Sequence, residues 1–449
     1  MSMQKSLQKI VKMIKERDTN LQEFFQNLHP SDFAEIVEDL TDEQKADLFE
    51  LLSDEEAAMV IQEMEDIDQV DLFQLLSRKR ASSILKEMST DDAADLLAEL
   101  PEEEAKELLT LIEEDAEEIR GLLKYRKDSA GGIMATEYIS FPENMTVEET
   151  IRRLREIAPE AETVYYVYVV DEEARLIGVL SLRELIVSPD GTRLSEIMRK
   201  NVVHVSVDLD QEEVARLVSK YDLLAVPVVD DGQRLLGIVT VDDILDVLEE
   251  EATEDIYRRV GVAELESVNL VDASVTSLLR RRLPWLLITL IGGLFVGSVI
   301  QAYEEALMTV AALVFFIPVI MDMGGNVATQ SSTVFVRGVA TGEIEASEMW
   351  GYFFREIRVA LIMGVVCGAT VSLAAGMWQA DPILGAVVGI AMFSTVTLAA
   401  TIGTLIPLVL SRMGVDPAYA SGPLVTSIKD ATGLLIYFSI AVRLMAERF

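Results

Sequence analysis

Five apolar stretches, at 283–303, 306–336, 359–380, 382–411 and 417–442, constrain this 449-residue chain more than any other feature. Each is long enough to cross about 30 Å of hydrocarbon as a helix. Backbone N–H and C=O groups find no water there, so spanning segments of this length have to be helical. The loops between them alternate sides. Arg280, Arg281, Arg282, Arg337, Arg355, Arg358 and Arg412 fall on one side, and Arg443 and Arg448 on the other. Basic residues collect on the cytoplasmic face, which predicts a cytoplasmic N-terminal part and five crossings. The first thirty residues agree, since "MQKSLQKIVKMIKERD" reads as a charged amphipathic helix without a signal-peptide pattern. A multi-pass protein of the cell (inner or plasma) membrane, in contact with lipid, is expected.

The formal net charge is −38. From Arg280 onward there are 10 Lys and Arg against 11 Asp and Glu, so almost all of the excess lies in the first 279 residues. Such a surface repels phosphates and excludes nucleic acid as a partner; cations are its natural counterpart. The single cysteine, Cys367, rules out a disulfide within the chain. The two histidines, His29 and His204, form no catalytic constellation with one another, and the chain does not read as an enzyme.

The acidic part repeats itself. Leu28, Leu40, Leu52, Met64, Leu76, Met88, Leu100 and Ile112 are spaced twelve apart. Hydroxyl residues follow several of them (Thr41, Ser53, Ser77, Ser89), and Thr41 with Gln44 and Ser53 with Glu56 have capping-box spacing. Units of a turn and a short helix cannot bury a core singly but can when stacked, which predicts an α-helical superhelical solenoid over 1–128.

A second repeat, of period 59, occupies 129–255: "VVDEEARLIGVLSLREL" at 169–185 returns as "VVDDGQRLLGIVTVDDI" at 228–244. Each copy reads strand, Asp-containing turn, strand, helix, with an amphipathic helix before it. This α+β arrangement resembles a tandem pair of CBS domains, the regulatory modules named from cystathionine β-synthase. In that family Ser/Thr-x-x-Asp after the last strand often holds an adenosine ribose. Thr240 and Asp243 match in the second copy; in the first, Ser181 is followed by Glu184. ATP at the CBS pair is therefore a cofactor expectation resting on Thr240, Asp243 and Ser181.

Within the membrane part, "LVTSIKDATGLLIYFSIAV" carries Lys429 and Asp430 in an otherwise apolar run. An ionised carboxylate at membrane depth costs about 2.5–3.5 kcal/mol and usually faces a cavity or pathway. Adjacent helical side chains point about 100° apart, so Lys429 is expected to reach a partner helix, the interface or water rather than neutralise Asp430. Thr426 and Ser427 lie one turn before Asp430, and Pro423 is expected to loosen the helix. In the second stretch "MDMGGNVATQSST" places Gly324, Gly325, Asn326, Thr329 and Gln330 at membrane depth, donors and acceptors suited to a hydrated passage. A carboxylate among hydroxyls and amides suits a hard cation, Mg²⁺, Ca²⁺ or Mn²⁺. Five helices enclose little alone, which points to a twofold seam.

Acidic helical repeats, tandem CBS domains and five membrane helices in this order look like the MgtE family of magnesium channels. The stretches that carry the resemblance are "GGNVATQSS", "DPAYASGPLVTSIKDATGLLIYFS" and "VTVDDILDVLEEEATEDI". The resemblance implies a homodimer, a connecting helix over 256–282 before the pore domain 283–449, and Asp430 as the ligand for hydrated Mg²⁺. The pore set is then Asp430, Thr426, Gly422, Gly325, Asn326 and Thr329. Gly422 and Thr329 depart from the family, whose members can carry Asn there.

Between Asp242 and Asp255 there are eight acids and no base. With others they form an expected Mg²⁺ sensor: Asp91, Asp95, Asp210, Glu212, Asp222, Asp243, Asp246, Glu251, Glu254 and Asp255. Bridging by Mg²⁺ would compact the cytoplasmic domains and close the pore, a negative feedback. Asp→Asn changes at Asp91, Asp243 and Asp246 are expected to move closure to higher Mg²⁺. The alternatives are an H⁺- or Na⁺-coupled secondary transporter, and an adenine-nucleotide sensor with a regulatory membrane part.

Overall fold

A computed structural model describes residues 3–16, 21–25, 27–112, 116–259, 262, 274–413, 415 and 423–446. Gly422 and residues 260, 261 and 263–273 of the expected connecting segment lie outside the described residues. Of 256–282, residues 256–259 end one helix and 275–282 begin the next. The chain divides into two units, Met1–Glu249 and Glu250–Phe449.

The first unit opens with the stacked repeats. Short helices run Pro30–Glu38, Asp42–Phe49, Asp54–Gln62, Asp66–Leu75, Arg78–Leu85, Thr90–Glu99, Glu102–Ile112 and Ala116–Leu122. Leu40, Leu52, Met64, Leu76, Met88, Leu100 and Ile112 are all buried, and Leu28 packs half-buried against the same core. Both expected capping boxes form: Thr41 with Gln44 and Ser53 with Glu56 exchange side-chain and backbone hydrogen bonds. Ser77 caps its helix through the Arg80 N–H, at 3.3 Å. Ser89 instead donates to Asp92, at 2.6 Å.

Two three-stranded sheets follow, one per copy of the second repeat. Strands β1 (Ser140–Pro142), β2 (Tyr166–Val170) and β3 (Leu176–Ser181) make one sheet. Strands β4 (Val205–Ser206), β5 (Ala225–Val229) and β6 (Leu235–Thr240) make the other. In each sheet the first pair is parallel and the second antiparallel. The registers are equivalent, Val169 facing Gly178 in one and Val228 facing Gly237 in the other. The hairpin turns put Ala174 (φ 62°) and Gln233 (φ 63°) in the left-handed region. Those turns hydrogen-bond each other: the Leu176 N–H donates to the Gln233 carbonyl at 2.9 Å, and the Leu235 N–H to the Ala174 carbonyl at 3.1 Å. The repeat thus becomes a pair joined across a local twofold.

Among the described residues the second unit contains five helices long and apolar enough to cross a membrane: Val275–Ala302, Ala311–Ala340, Met349–Trp378, Pro382–Arg412 and Val425–Leu444. The second opens as a 3₁₀ turn, Ala311–Phe316, and continues without a break through Asp322. The first and third begin before the apolar runs do, and carry arginines on their cytoplasmic turns. Pro423 is the first residue of the described fifth helix; the residues before it, on which the expected loosening bears, lie outside the described residues. The fourth helix is the most enclosed, with Leu384, Val387, Val388, Ala391, Val396, Ala399 and Ala400 fully or almost fully buried. Gly368 and Gly389 let the third and fourth helices touch backbone to backbone: a Cβ at Gly368 would lie 2.7 Å from the Gly389 carbonyl. The Tyr437 hydroxyl donates to the Leu313 carbonyl at 2.9 Å, tying the fifth helix to the second.

Candidate functional site

The fifth helix carries Lys429 and Asp430, both largely enclosed, their side chains 6% and 15% exposed. Their neighbours set their depth. Lys429 lies against Gly324 and Gly325, near the centre of the 311–340 span. Gly433 and Gly324 both pack on Thr395, near the centre of the fourth helix. The pair therefore sits about midway through the bundle.

Lys429 does reach a partner helix: its ammonium donates to the Met321 carbonyl at 3.0 Å. It also stands 2.7 Å from Asp430 Oδ1. The expectation that these neighbours do not pair is thereby corrected. Their Cα–Cβ bonds diverge, but the four-carbon lysine stem folds back far enough to close the gap. The contact is an ion pair, and Oδ1, fully enclosed, accepts no aligned hydrogen bond among the described residues.

The second helix presents a polar stripe beside this pair. Asp322, Asn326 and Thr329 are exposed at i, i+4 and i+7, with Gln330 next to them. The Asn326 amide donates to Asp322 Oδ2 at 3.2 Å. Among the described residues nothing covers the stripe, and hydrocarbon is no place for it. Thr426 lies half-buried one turn before Asp430. Two acids of this region went unassigned in the sequence: Asp322, and Glu356, which accepts from the buried Ser331 hydroxyl at 2.7 Å. For Asp322 its position within an apolar run was the available signal; Glu356 precedes the apolar run that begins at 359 and had none.

In the first unit the structure gathers part of the expected sensor. Asp91 is buried, and burial first, then the charges of Asp92, Asp243 and Glu162, push its carboxyl well above the usual range. Burial chiefly, with Asp242 and Asp92 adding, raises Asp243 to about 7 against the hydrogen bonds it accepts from Thr240. Glu162 is raised to about 7 by burial and by Asp243, Asp92 and Glu137. Asp246, at the exposed edge of the cluster, is also raised, by partial desolvation and then Asp242. Carboxylates so placed resist being charged together, and a cation among them would remove the penalty. Among the described residues no three His, Cys, Asp or Glu side chains close into a ready-made metal cage.

Other expected sensor acids are elsewhere. Asp210 caps the helix Gln211–Tyr221 through the Glu212 N–H, at 3.1 Å. Glu212 pairs with Arg216 at 3.2 Å, and Asp222 ends that helix in the left-handed conformation. Asp95, with Asp66 and Glu99, surrounds Lys127; burial opposes that ammonium's charge, yet the acids hold its pKa above the ordinary range. Glu251, Glu254 and Asp255 fall on the continuing turns of the helix Val241–Arg259, where Glu254 pairs with Arg258. Glu137 and Glu162 were not anticipated; in the first CBS copy Glu137 precedes β1 and Glu162 precedes β2, and no local pattern marks them. Glu137 accepts from the Thr90 N–H at 3.0 Å and hydroxyl at 2.8 Å, holding the helix that carries Asp91.

The nucleotide motifs differ between copies. The Thr240 hydroxyl donates to Asp243 Oδ2 at 2.5 Å. In the first copy Ser181 and Glu184 form a capping box, and Arg199 donates to Glu184 at 2.7 and 3.0 Å. Glu184 is thus already engaged. A cleft of about 430 Å³ lies alongside, lined by Tyr165, Tyr166, Ser181, Arg183, Ile186 and Leu224 among others.

An acidic cytosolic solenoid with a CBS pair, followed by five membrane helices with an intramembrane acid, defines a multi-pass cation transporter with regulatory domains. Models of known families agree: a divalent cation transporter domain matches residues 317–440, an MgtE intracellular N domain 28–128, and CBS domains 130–189 and 194–250. The chain belongs to the MgtE family of magnesium transporters. The magnesium transporter MgtE of Thermus thermophilus is 46% identical over 330 residues, 74% of this chain and 73% of the relative. That of Enterococcus faecalis is 43% identical over 332 residues, 74% and 72%. Among solved structures, the soluble part of a magnesium transporter superposes with a TM-score of 0.54 at 39% identity, covering 56% of this chain and all of that one. The cytosolic domain of the Mg²⁺ channel MgtE in complex with ATP gives 0.51 at 43% identity, covering 54% and 99%.

Proposed function

We propose that this transporter is a Mg²⁺ channel, that it works as a homodimer, and that Mg²⁺ closes it by binding between acidic cytosolic surfaces. The observation that carries the reading is the uncovered stripe of Asp322, Asn326 and Thr329 beside the enclosed Asp430 carboxylate. A polar stripe at this depth requires water or a second copy, and a twofold seam supplies both. Asp430 is the ligand for the hydrated ion, with Thr426, Gly325, Asn326 and Thr329 around it; Gly422 belongs to the same set by sequence. Mg²⁺ gives up its water reluctantly and is held by one or two carboxylates, which one acid per protomer provides.

Closure uses the cluster of Asp91, Asp243 and Glu162 with Asp246, whose raised pKa values mark a compact state that charge repulsion opposes. Asp95, Asp210, Glu212, Asp222, Glu251, Glu254 and Asp255 remain candidate outlying sensor ligands. ATP binding at the CBS pair is supported by the nucleotide-bound relative, with Thr240 and Asp243 as the ribose contacts and Ser181 bordering the cleft.

The test is Mg²⁺ uptake by purified protein in liposomes. Asp430→Ala should abolish it, and retained uptake removes the assignment. An intramembrane acid such as Asp430 also suits a proton-coupled carrier, because such residues mark proton relays as well as ion pathways. Single-channel currents separate the readings: unitary currents support the channel, and pH-gradient-driven uptake without them supports the carrier.

A further inference from the structure

Beyond residue 280 the chain has one lysine, and it stands against the one carboxylate assigned to the ion. Three features hold its ammonium. The Met321 carbonyl accepts its proton at 3.0 Å, Asp430 Oδ1 lies at 2.7 Å, and the side chain is only 6% exposed. The glycine pair of the second helix makes the room: a Cβ at Gly325 would lie 2.8 Å from Nζ, and one at Gly324 3.7 Å from Cδ. The two anchors differ in kind. The Met321 carbonyl accepts an aligned hydrogen bond, whereas Asp430 Oδ1, though close, accepts no aligned one among the described residues. Asp430 can therefore be taken over by an arriving cation while Lys429 stays tethered to the second helix.

We propose that Lys429 is a built-in competitor for the Asp430 carboxylate, a specificity-determining residue that excludes monovalent cations and yields only to divalent ones. The inference rests on Asp430 being the pore ligand. The physics is simple. Na⁺ or K⁺ brings the charge already present on the ammonium and must shed water to use it. A divalent ion at the same distance is attracted twice as strongly, and it need not remove the ammonium, only draw the carboxylate from it. The two-glycine groove is the feature that permits this, because any larger residue at 325 would push the ammonium off its seat.

The experiment compares K⁺ flux, measured without divalent ions, with Mg²⁺ uptake, using the full chain in liposomes. Lys429→Met and Lys429→Gln should both raise the K⁺:Mg²⁺ flux ratio about tenfold or more, since each removes the competing charge. Gly325→Ala, which keeps the lysine but displaces it, should shift the ratio the same way and serves if the lysine variants fail to fold. An unchanged ratio in these variants overturns the proposal. So does restoration of the wild-type ratio by Gln but not Met, because Gln keeps a donor for the Met321 carbonyl and would reveal a purely structural tether. Asp430→Ala distinguishes the levels. Retained Mg²⁺ uptake there removes the pore reading itself; lost uptake with an unchanged K⁺:Mg²⁺ ratio in the Lys429 variants removes only the competitor.

Discussion

Asp243→Asn isolates the cost of charge in the cytosolic cluster. The usual carboxylate value is 3.8, and in the folded protein Asp243 is raised to about 7. The gap corresponds to about 4 kcal/mol against the compact state once the group is ionised, at about 1.4 kcal/mol per pH unit. Burial is the largest cause, with Asp242 and Asp92 adding; a neutral amide still bears part of the burial cost, which leaves roughly 2 kcal/mol to the charge, or about 30-fold in an opening equilibrium. Asn has nearly the same shape, and its carbonyl oxygen can still accept from the Thr240 N–H and hydroxyl. At pH 8 without Mg²⁺, the variant should therefore be more compact than the wild type. Hydrogen exchange on the full chain in detergent reads this out: amides of Thr90–Glu99 and of 241–246 should open about 30-fold less often in the variant. The sign with pH follows from a pKa raised on folding. The folded state holds the proton more tightly, so stability is fully present below pH 4 and is lost as pH rises through about 7. Lowering the pH to 5 should accordingly close the gap between variant and wild type, and Mg²⁺ should protect the wild type at pH 8 far more than at pH 5. Equal protection of both proteins at pH 8, or a variant more open at both pH values, would refute the reasoning. With Mg²⁺ present the substitution also removes a ligand, so closure by Mg²⁺ is still expected to move to higher concentration.

Two further outcomes follow from the packing. Gly368→Val would drive a side chain into the Gly389 carbonyl, and the forced separation of the third and fourth membrane helices should cost at least about 2 kcal/mol, visible as a lower thermal midpoint in detergent. Glu137→Ala strips the Thr90 N–H and hydroxyl of their acceptor; with about 1–3 kcal/mol lost, limited proteolysis should cut between the solenoid and the CBS pair at lower protease.

The repeat at Leu40 through Ile112 was fully legible because every unit meets the same requirement, one apolar residue closing each turn onto a shared core. The CBS pair was legible for a related reason: a period of 59 carries strands, glycines and turns into equivalent registers. Helix ends in the membrane were less so. Apolarity stops at the bilayer surface, while the third helix continues with Arg355, Glu356 and Arg358 on its cytoplasmic turns. The acidic cluster was half legible. Asp91 and Asp243 stand in visible acidic runs, but Glu137 and Glu162 join them only through the fold, from outside any such run. The Lys429–Asp430 contact escaped because the divergence of adjacent Cβ directions limits short side chains, not a lysine that can bend around a groove of two glycines.

The ion pair of the fifth helix also bears on how the molecule is made. A segment leaving the insertion machinery alone with both Lys429 and Asp430 faces about 2.5–3.5 kcal/mol for each charge, whereas one that finds the Met321 carbonyl and the Gly324–Gly325 groove waiting meets its partners at once. Biogenesis should therefore run in sequence order, the earlier helices assembling first and the last being admitted only by a finished neighbour. A defect in the second helix would then surface as a C-terminal segment left out of the membrane.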